Sequence, residues 1–378
     1  MQIYLDNAAT TKVCAQAADA AADAMLHTYG NPSSLHRLGM EAENLVTKAK
    51  KQLAAALSCQ PGEILFTSGA TESNNLAILG GCKAARRSGN KIVTSAVEHP
   101  SVLEPVRALE REGYEVSYIR PREDGSFSAQ DFVDAVDERT ALISAMLVNS
   151  EVGTRLPVEE ITAGVRQKNP KTLVHIDAVQ GFGKIPLSAK KLGADLISVS
   201  GPKIYAPKGI GALYIKKGVR VSPLLYGGGQ QNGLRVGTEC VPLIAAFGEA
   251  AAFCNACQRD VLARYKQLRE DLLETLSQIP DVTVNSPEGS VPYILNLSVK
   301  GIRSEILLHF LEQAGIYVSS GSACSKGAKS HVLAAMGLPD ERIDTAIRLS
   351  FSYETTGEQL TAFAARLKEG IDTLMKTT

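Results

Sequence analysis

The chain of 378 residues has no tryptophan, only 5% aromatic residues and no excess of charge, with 40 Lys and Arg against 40 Asp and Glu. A balanced chain builds no long-range field, so the attraction that draws basic proteins to nucleic acid or to anionic membrane surfaces is missing. Neither partner is expected. Local basic pairs such as Arg86-Arg87 and Lys190-Lys191 read as solvated helix faces. No stretch approaches the roughly 20 consecutive apolar residues of a membrane-spanning helix. Met1 to Asp6 has no basic region leading into an apolar run, so no secretory signal is read there. Seven cysteines, an odd number at irregular spacing, do not make a secreted disulfide framework. The expected compartment is the cytoplasm. Cys254-Asn-Ala-Cys257 matches a CxxC pattern but has no second pair and no strand before it, so no metal site is assigned. Cys14, Cys59, Cys82 and Cys240 read as small packing or surface residues.

The length exceeds that at which single cores usually divide, so two domains are expected. Short apolar runs at Ile64–Thr67, Lys91–Ser95, Glu115–Ile119, Ala141–Leu147, Leu173–Ile176, Asp195–Val199 and Gly211–Ile215 read as strands. Amphipathic segments lie between them, including Glu72–Arg87, Ser101–Arg111 and Val158–Lys168. Strands alternating with helices define an α/β fold with a mostly parallel seven-stranded sheet flanked by helices. Two longer helices are read at Leu35–Leu57 and Pro242–Ile279, the second long enough to bridge two domains. Beyond it, strands at Tyr293–Val299 and Ile347–Phe351 and helices at Ser304–Gln313 and Glu358–Leu374 suggest a smaller α+β domain. The expected division is 13–255 for the large domain and 1–12 with 256–378 for the small one.

Ligands of a parallel sheet sit beyond the carboxyl ends of its strands, and the residues there carry chemistry. After Ile64–Thr67 comes Ser68-Gly69-Ala70-Thr71-Glu72, where the amides of Ala70 and Thr71 at a helix start suit an anion such as phosphate. An ordinary helix cap explains Thr71 but not Gly69. After Lys91–Ser95 comes Glu98-His99-Pro100, which puts an imidazole at the mouth of the site. Asp177 ends a buried strand, where an unpaired carboxylate is costly and wants a cation. Lys203 follows Ser200-Gly201-Pro202 at another strand end. A surface ion pair would account for Asp177 and Lys203 separately. Together with an anion cradle they are the minimal equipment for pyridoxal phosphate: an amine for the Schiff base, a carboxylate for the pyridine nitrogen and a seat for the phosphate. Finally, Ser319-Ser320-Gly321-Ser322-Ala323-Cys324-Ser325-Lys326-Gly327 presents a thiol on small polar residues beside a lysine, a setting that favours a reactive thiolate. Turn chemistry explains its neighbours equally well.

The sequence resembles the NifS/IscS-type cysteine desulfurases, class V aminotransferase-like members of the fold-type I pyridoxal phosphate transferases. The resemblance rests on Tyr4-Leu-Asp-Asn-Ala-Ala-Thr-Thr11, Gly30-Asn-Pro-Ser-Ser-Leu-His36, Thr67-Ser-Gly-Ala-Thr-Glu-Ser-Asn74, Glu98-His99-Pro100, His175-Ile-Asp177, Gly227-Gly-Gly-Gln230, Arg235-Val-Gly-Thr238 and Ser319 to Cys324, in the family's order. It implies a homodimer in which Thr238 reaches the phosphate of the opposite subunit. It implies that Lys203 carries the cofactor, that Asp177 pairs with the pyridinium and that Gln180 contacts the ring hydroxyl. His99 would stack on the ring and move protons, while Ala70, Thr71 and Ser200 hold the phosphate. Arg348 would grip the substrate carboxylate, with Asn149 and Ser150 orienting it. Cys324 would take sulfur from L-cysteine as a persulfide, leaving L-alanine, and pass it to an acceptor protein in iron–sulfur cluster assembly or tRNA thiolation.

Two positions depart from the family's pattern. Pro202 stands where the family has a phosphate-binding histidine, and Ser150 where it has an asparagine. They keep open a weakly active or non-catalytic sulfur-relay scaffold on the same fold; a selenocysteine lyase or related lyase, which does not strictly need the loop thiol, is the rival reading within the same cofactor group. A nicotinamide enzyme is not read from Gly227-Gly-Gly-Gln-Gln-Asn-Gly233, because that run does not open a helix after a first strand.

Overall fold

The computed structural model describes residues 2–320 and 329–374. A two-residue strand, β1 (Ile3–Tyr4), opens the chain. Seven strands then form the large sheet: β2 (Ile64–Thr67), β3 (Lys91–Ser95), β4 (Glu115–Ile119), β5 (Thr140–Met146), β6 (Leu173–Asp177), β7 (Leu196–Ser200) and β8 (Gly211–Ile215). Their order is β2-β8-β7-β6-β5-β3-β4. β8 runs antiparallel to both neighbours and the remaining pairs are parallel. The Val- and Ile-rich strands β3, β5 and β7 are buried along their whole length, as strands covered on both faces should be. β4, with its exposed Glu115, is an edge.

The expected mostly parallel seven-stranded sheet is therefore observed, with strand ends displaced by a residue. β5 begins at Thr140, while β6 and β7 continue into Asp177 and Ser200. Polar residues at strand ends still take ladder hydrogen bonds, which an apolar pattern does not register. The helix expected over 72–87 begins at Ala70 and ends at Ala84, with a π-helical stretch at Leu76–Gly80.

The helix Val241–Ser277 leads from the large sheet to a second, antiparallel one. That sheet has the order β12-β13-β10-β9, with β9 (Val282–Val284), β10 (Ile294–Val299), β12 (Ser319–Ser320) and β13 (Ala346–Ser350). β1 pairs in parallel with β11 (Ile316–Tyr317). Tyr265 of the long helix packs on Tyr293 and Phe351, with centroids 5.7 and 6.4 Å away, and its hydroxyl is 3.2 Å from that of Tyr205. One apolar core is thereby continuous between the two sheets. Among the described residues no helix is long and apolar enough to cross a membrane.

Candidate active site

Strand order reverses between β3 and β5: β3 leads outward to β4, and β5 leads the other way to β6 and β7. Such a reversal opens a crevice at the carboxyl ends of the strands. His99 follows β3, Asn149 and Ser150 follow β5, Asp177 ends β6, Ser200 ends β7 and Lys203 follows it.

Asp177 is buried, and its direct partners are neutral donors: Asn74 Nδ2 at 2.8 Å and the Val179 N–H at 3.0 Å. Burial pushes its carboxyl up, against Val179, Asn74 and the nearby His99 and Lys203, which pull it down. A buried carboxylate held by amide donors suits a cationic ligand atom such as a protonated pyridine nitrogen.

His99 caps the helix Pro100–Arg111. Pro100 supplies a pre-formed helical φ at the first position, and the imidazole Nδ1 accepts from the Ser101 N–H at 3.1 Å. Asn74 Nδ2, which can only donate, also reaches Ser101 Oγ at 2.8 Å. Ser101 therefore has its hydroxyl proton left for His99 Nδ1, also at 2.8 Å. Both contacts leave the neutral ring protonated at Nε2. Burial lowers the His99 pKa, opposed by Asp177 and assisted by Lys203 and His331, which favours the neutral ring.

The N-terminal strap Tyr4 to Cys14 closes one side of the crevice. Lys203 Nζ donates to the Ala9 carbonyl and Gln180 Nε2 to the Ala8 carbonyl at 2.9 Å. Thr11 donates twice to the Pro202 carbonyl, from N at 2.8 Å and from Oγ1 at 3.0 Å, and its Oγ1 accepts from Tyr205 N at 2.7 Å. These bonds hold the Gly201–Lys203 turn and the left-handed Tyr205 (φ 67°) behind it.

Arg348 is buried on β13, donating to Asp6 Oδ1 at 2.7 Å and to the Ser150 carbonyl at 2.9 Å. Asn149 is committed to its own turn: Oδ1 accepts from Glu151 and Val152 N–H at 2.9 Å, and Nδ2 donates to the Val97 carbonyl at 3.1 Å. It shapes the loop that carries Ser150.

At the phosphate cradle, Gly69 has φ 156° and ψ 177°, a region open essentially to glycine alone. A Cβ there would meet open space, while Gly211 packs tightly behind it. Ala70 is half-buried and Thr71 exposed beside this opening. Glu72 accepts from Ser68 N at 2.6 Å and from Arg235 Nε at 3.0 Å, tying the Arg235–Thr238 segment to this end of the crevice. Thr238 itself is exposed. The donor set as a whole (amine, buried carboxylate, imidazole and open glycine cradle) fits pyridoxal phosphate.

Cys324 and Lys326 lie outside the described residues. The chain on either side adjoins the site: Ser319 pairs with Arg348 across β12 and β13, Ser330 Oγ donates to Glu151, and His331 Nε2 donates to the Glu98 carbonyl at 3.0 Å. Burial pushes Glu151 up to about 7, partly offset by Ser330 and Arg348. Cys254 and Cys257 sit on the long helix and donate to the carbonyls of Ile204 and Cys254. Among the described residues no group of His, Cys, Asp and Glu could hold a metal ion.

Sequence reasoning did not single out Asn74, Ser101, Asp6 or Glu98 for a role, although all but Ser101 lie in the motifs quoted. Glu98 is fully buried; Ser95 Oγ (2.6 Å) and the Met146 N–H (2.8 Å) both donate to Oε1. Burial, with Asp177 nearby, pushes its pKa to about 8 from 4.5. With its carboxyl pushed that high, burial favours the protonated form of Glu98 at neutral pH. A raised folded-state pKa stabilises the fold fully below about 4.5, and that stability is lost as pH rises toward about 8. The melting temperature of Glu98→Gln should therefore gain on the unsubstituted protein from pH 5 to about pH 8 and level off above it. A constant difference across that range would show that Glu98 is ionised throughout.

A strand-end amine facing a buried carboxylate at the reversal of an α/β sheet defines the class of pyridoxal phosphate transferases. The aminotransferase class-V family matches residues 3–363, and the chain belongs to it, among the NifS/IscS-type cysteine desulfurases. It is 42% identical over 362 residues to cysteine desulfurase 2 of Trichormus variabilis, covering 95% of this chain and 90% of that one. It is 40% identical to cysteine desulfurase IscS of Methanosarcina thermophila, covering 95% and 89%. A solved structure of a NifS-like protein superposes with a TM-score of 0.94 at 37% identity, over 99% of this chain and 100% of that one.

Proposed function

We propose that this chain is a pyridoxal-phosphate-dependent cysteine desulfurase that converts L-cysteine to L-alanine and stores the sulfur as a persulfide on Cys324. The observation that carries the reading is the convergence of Lys203, Asp177, Gln180 and His99 at the strand-order reversal, with Arg348 beside them. Lys203 would hold the cofactor through Nζ, Asp177 would take its ring nitrogen, and Ala70, Thr71 and Ser200 would take its phosphate. Pyridoxal phosphate, when bound, supplies the electron sink that lets bonds at the amino acid's carbon atoms break.

The chain's own residues do the rest. Arg348 binds the substrate carboxylate with a planar pair of donors, with the Ser150 turn alongside. Lys203 moves the proton at the α-carbon, and His99, with its proton on Nε2, donates at the mouth of the crevice. Cys324, as thiolate, attacks the substrate sulfur: an S–S bond forms, the C–S bond breaks, and its electron pair stays on carbon, which is then protonated to give alanine. Cysteine and one thiol thus become alanine and one persulfide, with no outside oxidant. In this reading residues 13–255 carry the cofactor, and 1–12 with 256–378 carry the sulfur-bearing cysteine.

The dimer belongs to the same proposal. Met25, Leu26, Tyr29, Leu35, Leu225 and Tyr226 are large apolar residues left exposed, which suits a second copy of the chain, and Thr238 would complete the partner's phosphate site. The persulfide goes to a sulfur-acceptor protein of the cluster-assembly or tRNA-thiolating kind.

Incubation with L-cysteine and a thiol reductant should yield alanine and sulfide in equal amounts; alanine absent, or pyruvate in its place, would contradict the reading. Pro202→His should tighten pyridoxal phosphate binding to the apoprotein by about tenfold, the worth of one charge-assisted hydrogen bond. Equal or weaker affinity would mean the phosphate is held without a group at this position.

A further inference from the structure

Lys184 has no part in the site as described, yet it is a buried lysine whose Nζ lies 3.0 Å from Gln180 Oε1. Lysine is almost never fully buried unless paired. Among the described residues Lys184 forms no ion pair; besides Gln180, its amine meets the Tyr293 ring, 5.1 Å from the centroid. Burial, with Lys203 and Arg348 as repelling charges and Cys254 opposing them, lowers its pKa to about 7.

The consequence falls on Gln180. The Ala8 carbonyl only accepts, so it takes Nε2 at 2.9 Å, which turns Oε1 toward the Lys184 amine, where the ammonium donates. Turned over, the amide would set donor against donor and acceptor against acceptor. Tyr293 Oη also donates to the Gln180 carbonyl at 2.8 Å, fixing the main chain. Only the second N–H of Nε2 is left for a ligand.

We propose that Lys184 is a positioning residue that locks the Gln180 amide so that this second N–H faces the ring hydroxyl oxygen of pyridoxal phosphate. The role rests on the function proposed above. A donor to that oxygen stabilises its negative charge and weakens its hold on the proton it shares with the nitrogen linked to Lys203. The other titratable and charged groups at the crevice are Asp177, His99, Lys203, Arg348, Glu98, Glu151 and His331, and none of them changes in the variants below.

The test is a pH titration of the bound cofactor's visible absorbance in the holoenzyme. Lys184→Met should raise the spectral pKa by about one unit or more, the worth of a hydrogen bond to a charged oxygen. Lys184→Gln, which keeps a donor toward Gln180 without the charge, should leave it at the original value. Equal shifts in both variants would mean that charge acts rather than orientation. An unmoved pKa in Lys184→Met, whatever its melting temperature, would reduce Lys184 to packing. Where Lys184→Met does not fold, the Gln180→Leu/Lys184→Met pair replaces both partners by apolar groups, which is better tolerated. Its spectral pKa should equal that of Gln180→Leu alone, and a further shift would show that Lys184 acts independently. An unsubstituted protein that binds no pyridoxal phosphate refutes the function itself; one that binds it, with unmoved variants, refutes only this role.

Discussion

Lys203→Ala should abolish the visible absorbance of bound pyridoxal phosphate and lower alanine formation from L-cysteine by a factor on the order of 10³ or more. The amine has two tasks, holding the cofactor and moving the α-proton, and alanine does neither. Among the described residues no other amine is poised to replace it: Lys184 is committed to Gln180 Oε1 and buried beneath it. The fold should survive, since Lys203 closes a turn whose hydrogen bonds run through the Pro202 carbonyl and Thr11. A variant that stays yellow and forms alanine would remove Lys203 from the centre of the reaction.

Cys324→Ser should separate colour from turnover. The cofactor groups are all elsewhere, so the absorbance and its response to added cysteine should persist, while alanine and sulfide formation fall to background. A serine hydroxyl is both less acidic and far less nucleophilic toward sulfur than a thiolate. Both flanks of the segment that holds Cys324 are pinned at the site, by Ser319 across from Arg348 and by Ser330 and His331 on Glu151 and Glu98. Full turnover in the serine variant would mean that sulfur leaves without this nucleophile, as in a lyase.

The large sheet was legible because its strands are apolar runs bounded by turn residues, and β2, β3, β4 and β8 fall at their expected limits. The two-residue strands β1, β11 and β12 were not, because they exist through pairing with distant partners and carry no periodicity of their own. The same distinction governs the site. Lys203, Asp177 and His99 could be read from their places at strand ends. The Arg348–Asp6 pair joins residues 342 positions apart, and only folding reveals it. Asn74 was quoted as part of a motif, but its bridging of Asp177 and Ser101 depends on the helix that carries it packing against the helix Pro100–Arg111. Lys184, between Gly183 and Ile185, looks like any solvated lysine until the turn of residues 180–184 buries it.

The amine that holds the cofactor decides the chemistry of the whole crevice. Purified protein loaded with pyridoxal phosphate, reduced with borohydride and digested, should carry one pyridoxyl group per chain, on the peptide containing Lys203. The label on Lys184 or a surface lysine, or no label at all, would contradict it.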